Sequence, residues 1–422
     1  MVVRRLVVAV VLTASTTAIA AAQESPFVLP APTGQFAVGT TSWFVVDPTR
    51  RESFVSSKTP RSVEVVAWYP TTSSAAGTRP VRAPYLRDGL IEAETFAKAL
   101  RKPGAFDHLA GVQTHSLTDA APSGQPASLP VLVFSHGYTG PLSAYAALLE
   151  DLASHGYIVL SVGHSYEAVA VRQPDGSVAT MLDSSGGMRQ GIVDVLTEWR
   201  DEDSTMARVT RAPSESEQLR ILKAYISRVP KTEAVINRWV TDNRSVLDQF
   251  ARSTAGIAGE LRRRADLNRI GVFGHSMGGV VAGEFCLLDK RCRAGLNLDG
   301  IPQSGSMIGS RMPRPFMMVY SARPGRLGAS DAIYRRAASP YYRVDVDSTR
   351  HVDFSDMIFW GGPLKAAGAS GSIAPERAVE ATRLIVRQYF DQELRGVPSP
   401  LLRGTLKLND VHVRSPSSSR AP

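Results

Sequence analysis

The sequence predicts an α/β fold in which a mostly parallel central sheet is flanked by helices. Three observations carry this expectation. Apolar strand, helix and apolar strand follow one another across 131–162 and again across 269–298, as in strands buried on both faces of a sheet. The 422 residues are 43% hydrophobic and 21% charged, which is ample for a core and unlike a disordered chain. A serine flanked by glycines stands where the strand of the second unit must turn into its helix.

Residues 1–22 read as a secretory signal peptide. Arg4 and Arg5 form the basic start, Leu6–Leu12 the apolar run, and Ala20-Ala21-Ala22 the small-residue cleavage site before Gln23. The apolar run is far shorter than the ~20 residues that cross a bilayer, so no transmembrane segment is expected. Without a cysteine after this run or the neighbours of a twin-arginine signal, the expectation is general secretion of a secreted or periplasmic protein. The formal charge of +9, less the two of Arg4 and Arg5, leaves +7 on the mature chain. That basic balance allows peripheral contact with a lipid surface but more simply describes a solvated face. No nucleic-acid partner is expected, and oligomeric state is not legible.

A single domain is expected over 23–410. Gln35–Val46 and Ser62–Tyr69 read as strands of an edge hairpin, stopped by Asp47-Pro48 and Tyr69-Pro70. Residues 71–128 read as a surface excursion around a helical stretch near Leu90–Leu100. Val131–Phe134 is the first buried strand, followed by a helix carrying Leu142, Tyr145, Leu148, Leu149 and Leu152, and by the strand Tyr157–Val162. Residues 184–267 are a helical insertion before the strand that leads to the glycine-flanked serine, able to roof a pocket as a lid, with Ser214 and Ser216 as cap candidates. The second unit is Arg269–Phe273, a helix from Met277 to about Leu288, and Ala294–Leu298. Strands at Pro315–Ser321 and Tyr341–Val346 follow. A last helix spans Pro375–Leu394, with proline in its first turn and Gly396 past its end. Residues 411–422, rich in serine and proline, read as a disordered tail.

Gly274-His275-Ser276-Met277-Gly278 is a G-x-S-x-G string, weak alone but specific between a buried strand and a helix. Gly163-His164-Ser165-Tyr166-Glu167 fails the pattern at its last residue. A serine hydroxyl needs a base to take its proton and an acid to orient that base. Of the eight histidines, only His351 and His412 follow Ser276, and His351, just past a strand, is the candidate base. Asp299, directly after Gly295–Leu298, is favoured as the acid, with Asp331 as the alternative. Oxyanion donors are expected at the N–H of Met277 and, from the loop after the first central strand, of Tyr138. His136 is expected to order that loop. Cys286 and Cys292, exported to an oxidising compartment, predict a disulfide. No metal site and no cofactor are expected, because two thiols are too few for zinc and no G-x-G-x-x-G follows the first parallel strand.

Leu132–Gly137 (LVFSHG), Asp151–Val159 (DLASHGYIV), Ile270–Gly279 (IGVFGHSMGG), Ala294–Gly300 (AGLNLDG) and His351 with Asp353-Phe354 resemble the platelet-activating factor acetylhydrolases and their bacterial relatives, within the α/β-hydrolase superfamily. The resemblance spans most of Gln35–Leu394, apart from 184–267 and 361–371. It implies Ser276, Asp299 and His351 as a triad, Tyr138 and Met277 as oxyanion donors, and calcium-independent cleavage of short or oxidised acyl groups from phospholipids. It also supports Asp299 over Asp331. A small-molecule or lipid ester is then the expected substrate, such as the sn-2 acetyl group of phospholipids like platelet-activating factor. The alternatives are a broad short-chain esterase, a polyester or cutin hydrolase with an open cleft, and an inactive hydrolase-like binding protein.

Overall fold

The computed structural model describes residues 27–55, 58–72 and 81–414. The expected signal peptide at 1–22 lies outside the described residues, as does the chain beyond 414. In chain order the elements are β1 (Ala37–Arg51), β2 (Pro60–Thr71), β3 (Arg82–Pro84), α1 (Ile91–Ala99), β4 (Gln113–Thr118), β5 (Leu129–Ser135), α2 (Ala146–Ser154) and β6 (Ile158–His164). A small hairpin, β7 (Ala170–Arg172) and β8 (Val178–Thr180), leads to five helices: α3 (Gln190–Glu198), α4 (Glu202–Arg211), α5 (Glu215–Ile226), α6 (Pro230–Arg252) and α7 (Gly256–Arg264). Then come β9 (Ala265–His275), α8 (Met277–Leu288), β10 (Cys292–Leu298), β11 (Phe316–Ser321), α9 (Asp331–Ala337), β12 (Tyr341–Val346), α10 (Gly362–Ala366), α11 (Pro375–Arg395) and β13 (Val411–Arg414).

Among the described residues the main sheet has eleven strands in the order β13-β12-β11-β10-β9-β5-β6-β2-β1-β4-β3. The six strands from β12 to β6 run parallel, and β13 and β2 close this block antiparallel on either side. Alternation along each strand feeds two cores. Val131, Val133, Ile270 and Val272 face α6 and α8, whereas Leu132, Phe134 and Phe273 face α2 and α11. At the end of α11, Gly396 takes the left-handed conformation (φ 68°) and donates its N–H to Gln392 O.

Three expectations are corrected. The strands over 37–71 do form an antiparallel hairpin, but not at an edge. β2 is buried along nearly its whole length because β6 pairs with its outer side. Part of the supposed excursion, β3 and β4, extends the sheet beyond β1. At the other end, 411–414 is not disordered: it pairs with β12 from Arg343↔Arg414 to Val346↔Val411, and Val411 is buried. The composition of the last residues hid a four-residue strand whose pairing partner supplies the order.

The insertion has two parts. Its long helix α6 belongs to the body of the fold, with Trp239, Val246 and Phe250 fully buried. Asp242 of α6 takes hydrogen bonds from Arg61 on β2 (2.7 Å), Arg50 (2.8 Å) and His164 (2.8 Å). Burial would raise the Asp242 carboxyl, but the Arg61 charge and the His164 hydrogen bond hold it far below the usual carboxylate range. Glu167 similarly binds Arg238 and Trp239 of the same helix. Removing one partner would strand a buried charge at a cost of roughly 3–5 kcal/mol, so α6 is fixed to the sheet. Helix α4 meets the segments that follow β10 and β11, through Glu202 with Gln303 and Asp203 with Arg326. Ser214 caps α5, accepting the Glu217 N–H, while Ser216 lies inside that helix.

Candidate active site

Ser276 stands between β9 and α8 with φ 56° and ψ −123°, a conformation that side-chain-bearing residues rarely adopt. The turn is possible because its glycines let backbones touch. A Cβ on Gly278 would lie 2.0 Å from Ser135 O, and one on Gly274 2.3 Å from the Gly278 carbonyl carbon. The surrounding frame holds the strain in place. Ser276 N–H donates to Leu298 O at 2.8 Å, tying the turn to the end of β10.

Asp299 follows β10 and is likewise left-handed (φ 58°). Asn297 builds that turn, accepting the Gly300 N–H (2.7 Å) and donating to Gly300 O (3.1 Å). The Asp299 carboxylate then accepts three hydrogen bonds, from Ser321 N–H (2.8 Å), Ser321 Oγ (2.9 Å) and His351 Nδ1 (2.7 Å). Burial pushes its carboxyl up, but the His351 hydrogen bond and the Ser321 donors outweigh burial and leave it below the ordinary value. Since Asp299 only accepts, His351 Nδ1 carries the proton and Nε2 is left as the basic nitrogen.

Ser276, Met277, Asp299 and His351 line one pocket of about 260 Å³. Both Ser276 and His351 line it, with no hydrogen bond between their side chains. Met277 is the first residue of α8, so its N–H has no carbonyl within the helix. The loop after β5 packs beside the serine, where a Cβ on Gly137 would sit 3.4 Å from Ser276 Cβ. One residue on, the Tyr138 ring packs edge-on against Trp199, another wall of the pocket (5.6 Å). His136 orders this loop, with Nδ1 donating to Gly137 O (2.7 Å) and Nε2 accepting the His164 N–H (3.3 Å). Burial, then His164, push the His136 imidazole down to about 3, so it stays neutral.

The remaining wall was invisible in the sequence. Glu202 and Asp203 of α4 meet Arg326 at 2.6 and 2.5 Å, and Arg323 reaches Asp203 at 2.5 Å. Gln303 donates to Glu202 at 2.6 Å. These pairs join residues about 100 or more apart in the chain, and no local motif announces them. Asp331, the alternative acid, lies elsewhere: it accepts from Tyr320 Oη, Tyr341 Oη and Arg343, and does not bind His351. His412 lies on β13, bonded to Asp347. Cys286 and Cys292 are joined in a disulfide between α8 and β10. Among the described residues no group of three or more His, Cys, Asp or Glu side chains could hold a metal ion, and no helix is long and apolar enough to cross a membrane.

Residues 21–394 match the family described as platelet-activating factor acetylhydrolase, isoform II. The chain belongs to this family. A probable 1-alkyl-2-acetylglycerophosphocholine esterase of Arthroderma benhamiae is 23% identical over 416 residues, covering 92% of this chain and 93% of the relative. The platelet-activating factor acetylhydrolase of Bos taurus is 29% identical over 199 residues, 46% of this chain and 40% of that enzyme. Among solved structures, a ferulic acid esterase from Streptomyces cinnamoneus superposes with a TM-score of 0.68 at 26% identity, covering 92% of this chain and 99% of that one. The fold is thus that of the α/β-hydrolases, and this member of the acetylhydrolase family is a carboxylesterase.

Proposed function

We propose that the chain is an exported serine esterase that works through an acyl-enzyme, with Ser276 as nucleophile, His351 as base and Asp299 as its orienting acid. One observation carries the reading: the 2.7 Å bond from His351 Nδ1 to a buried Asp299, in a pocket shared with a serine held at φ 56°. In this mechanism His351 Nε2 takes the Ser276 proton as Oγ attacks the acyl carbonyl. Negative charge on the tetrahedral oxygen is met by the Met277 and Tyr138 N–H groups, each such donor contributing roughly 3–4 kcal/mol. Collapse expels the alcohol, which takes its proton from His351. Water then repeats the attack on the acyl-enzyme and releases the acid.

A short acyl ester, such as the sn-2 acetyl group of a phospholipid resembling platelet-activating factor, is the substrate the family match supports. The pocket, about 260 Å³, suits a short chain. The structural neighbour favours a second reading, a broad esterase that also accepts aromatic acyl groups. A polyester or cutin hydrolase would need an open cleft, and the contacts from α4 to Arg323 and Arg326 weigh against one. The inactive binding-protein reading has no vacant catalytic role to rest on. Turnover of a phospholipid with an sn-2 acetyl group, p-nitrophenyl butyrate and methyl ferulate by one preparation tests the proposal. Preference for the phospholipid supports the first reading and preference for ferulate the second. An inert wild type on all three sinks both.

A further inference from the structure

A line of hydrogen bonds runs beneath the pocket and touches all three segments that the proposed mechanism must hold in register. Gly137 N–H donates to Tyr145 Oη at 3.1 Å, Tyr145 Oη lies 2.9 Å from His275 Nδ1, and His275 Nε2 lies 2.8 Å from the carbonyl oxygen of His351. A carbonyl only accepts, so His275 Nε2 must carry the hydrogen. His275 Nδ1 is then the acceptor for the Tyr145 hydroxyl, and that hydroxyl's oxygen is free to take the Gly137 N–H. Each donor and each acceptor in the line is thereby matched. Tyr145 and His275 are both buried, so each lost bond would leave a polar atom with no water to replace it. The His275 and His351 rings lie 4.6 Å apart, so one ring is seated against the other.

The geometry points to Tyr145 and His275 as a positioning pair for the esterase reaction: together they fix the backbone of the base relative to the oxyanion loop and the serine turn. The inference rests on the proposed triad. It also gives Tyr138 its part, because the Gly137 N–H is already committed to Tyr145 and the next N–H of the loop is that of Tyr138. His275 stays neutral throughout, since burial, and then the neighbouring His351, push its imidazole down to about 3.

The test is steady-state hydrolysis of p-nitrophenyl butyrate by the whole chain and four variants, with each melting curve recorded. Tyr145→Phe removes the hydroxyl that serves both Gly137 and His275. His275→Asn keeps a group near Nδ1 but cannot reach the His351 carbonyl, whereas His275→Gln can place an N–H there. Ser276→Ala tests the underlying reading. Misplacement of reacting groups by about 1 Å can cost ~100-fold, so Tyr145→Phe and His275→Asn should lower kcat roughly 10- to 100-fold while KM stays within about twofold. His275→Gln should recover at least about fivefold of the loss. If His275→Asn does not fold, Tyr145→Phe, which loses a single oxygen atom, carries the test. Unchanged kcat in the folded variants, a loss that appears in KM instead, or no recovery by Gln over Asn would overturn the pair while an inert Ser276→Ala leaves the triad standing. A Ser276→Ala variant that still turns over removes both.

Discussion

Replacing Asp299 with asparagine separates the proposed acid from its alternative more sharply than any other change. The carboxylate accepts from His351 and from both donors of Ser321, and it is buried. Asparagine keeps one oxygen for Ser321 but turns an NH₂ toward His351 Nδ1, so the imidazole is held with Nδ1 bare and its proton on Nε2. In that tautomer His351 cannot accept the serine proton. Loss of the correct tautomer in such a triad costs on the order of 10⁴ in kcat, which is about 5 kcal/mol of transition-state stabilisation. Asp331→Asn is the matched control. Asp331 binds Tyr320, Tyr341 and Arg343 away from the pocket, so its loss should lower the melting temperature and leave kcat within about threefold. Stopped-flow or plate assays with p-nitrophenyl butyrate read both variants. An Asp299→Asn variant that keeps more than a tenth of wild-type kcat, or an Asp331→Asn variant that loses it, would show that Asp299 does not orient the base.

Three further predictions concern the frame. Burial pushes the Glu92 carboxyl from 4.5 up to about 7. The stabilisation from its neutral form is therefore present below about pH 4.5 and lost as pH rises through 7, and Glu92→Gln should gain on the order of 3 kcal/mol at pH 8 but little at pH 5 in urea unfolding. A gain independent of pH would contradict this. Gly278→Ala forces a methyl against Ser135 O, so activity should fall by more than 100-fold, and an alanine variant with normal turnover would disprove the steric argument. Removing the Cys286–Cys292 link with paired serines opens a loop of separation six and should cost about 2 kcal/mol while kcat holds, a result that chemical denaturation and a parallel ester assay would check.

The parallel core was legible because its strands are continuous apolar runs and its helices are periodic. Tyr341–Val346 was placed to the residue, and the turn at Ser276 was readable from glycines whose spacing has a steric cause. Asp299 could be ranked over Asp331 by its place after a strand. What could not be read depends on pairing across long stretches of chain. β2 looked like an edge because nothing in 60–71 tells that β6 will lie beside it. The strand at 411–414 was lost in a polar tail. The Glu202, Asp203, Arg323 and Arg326 wall has no spacing signature, because α4 and the loop after β11 meet only in three dimensions. His275 stood in plain view inside the serine motif, yet its role depends on Tyr145 and on the carbonyl of His351, which no motif connects.

If Ser276 carries the acyl group, that intermediate can be trapped on it. Wild-type chain would be treated with a fluorophosphonate or quenched during p-nitrophenyl butyrate turnover, digested and analysed by mass spectrometry. One label per chain is expected, confined to the peptide containing Gly274–Gly278, with a burst of p-nitrophenol of matching size and neither signal in Ser276→Ala. Label on another residue, or undiminished turnover by Ser276→Ala, would contradict that role for Ser276.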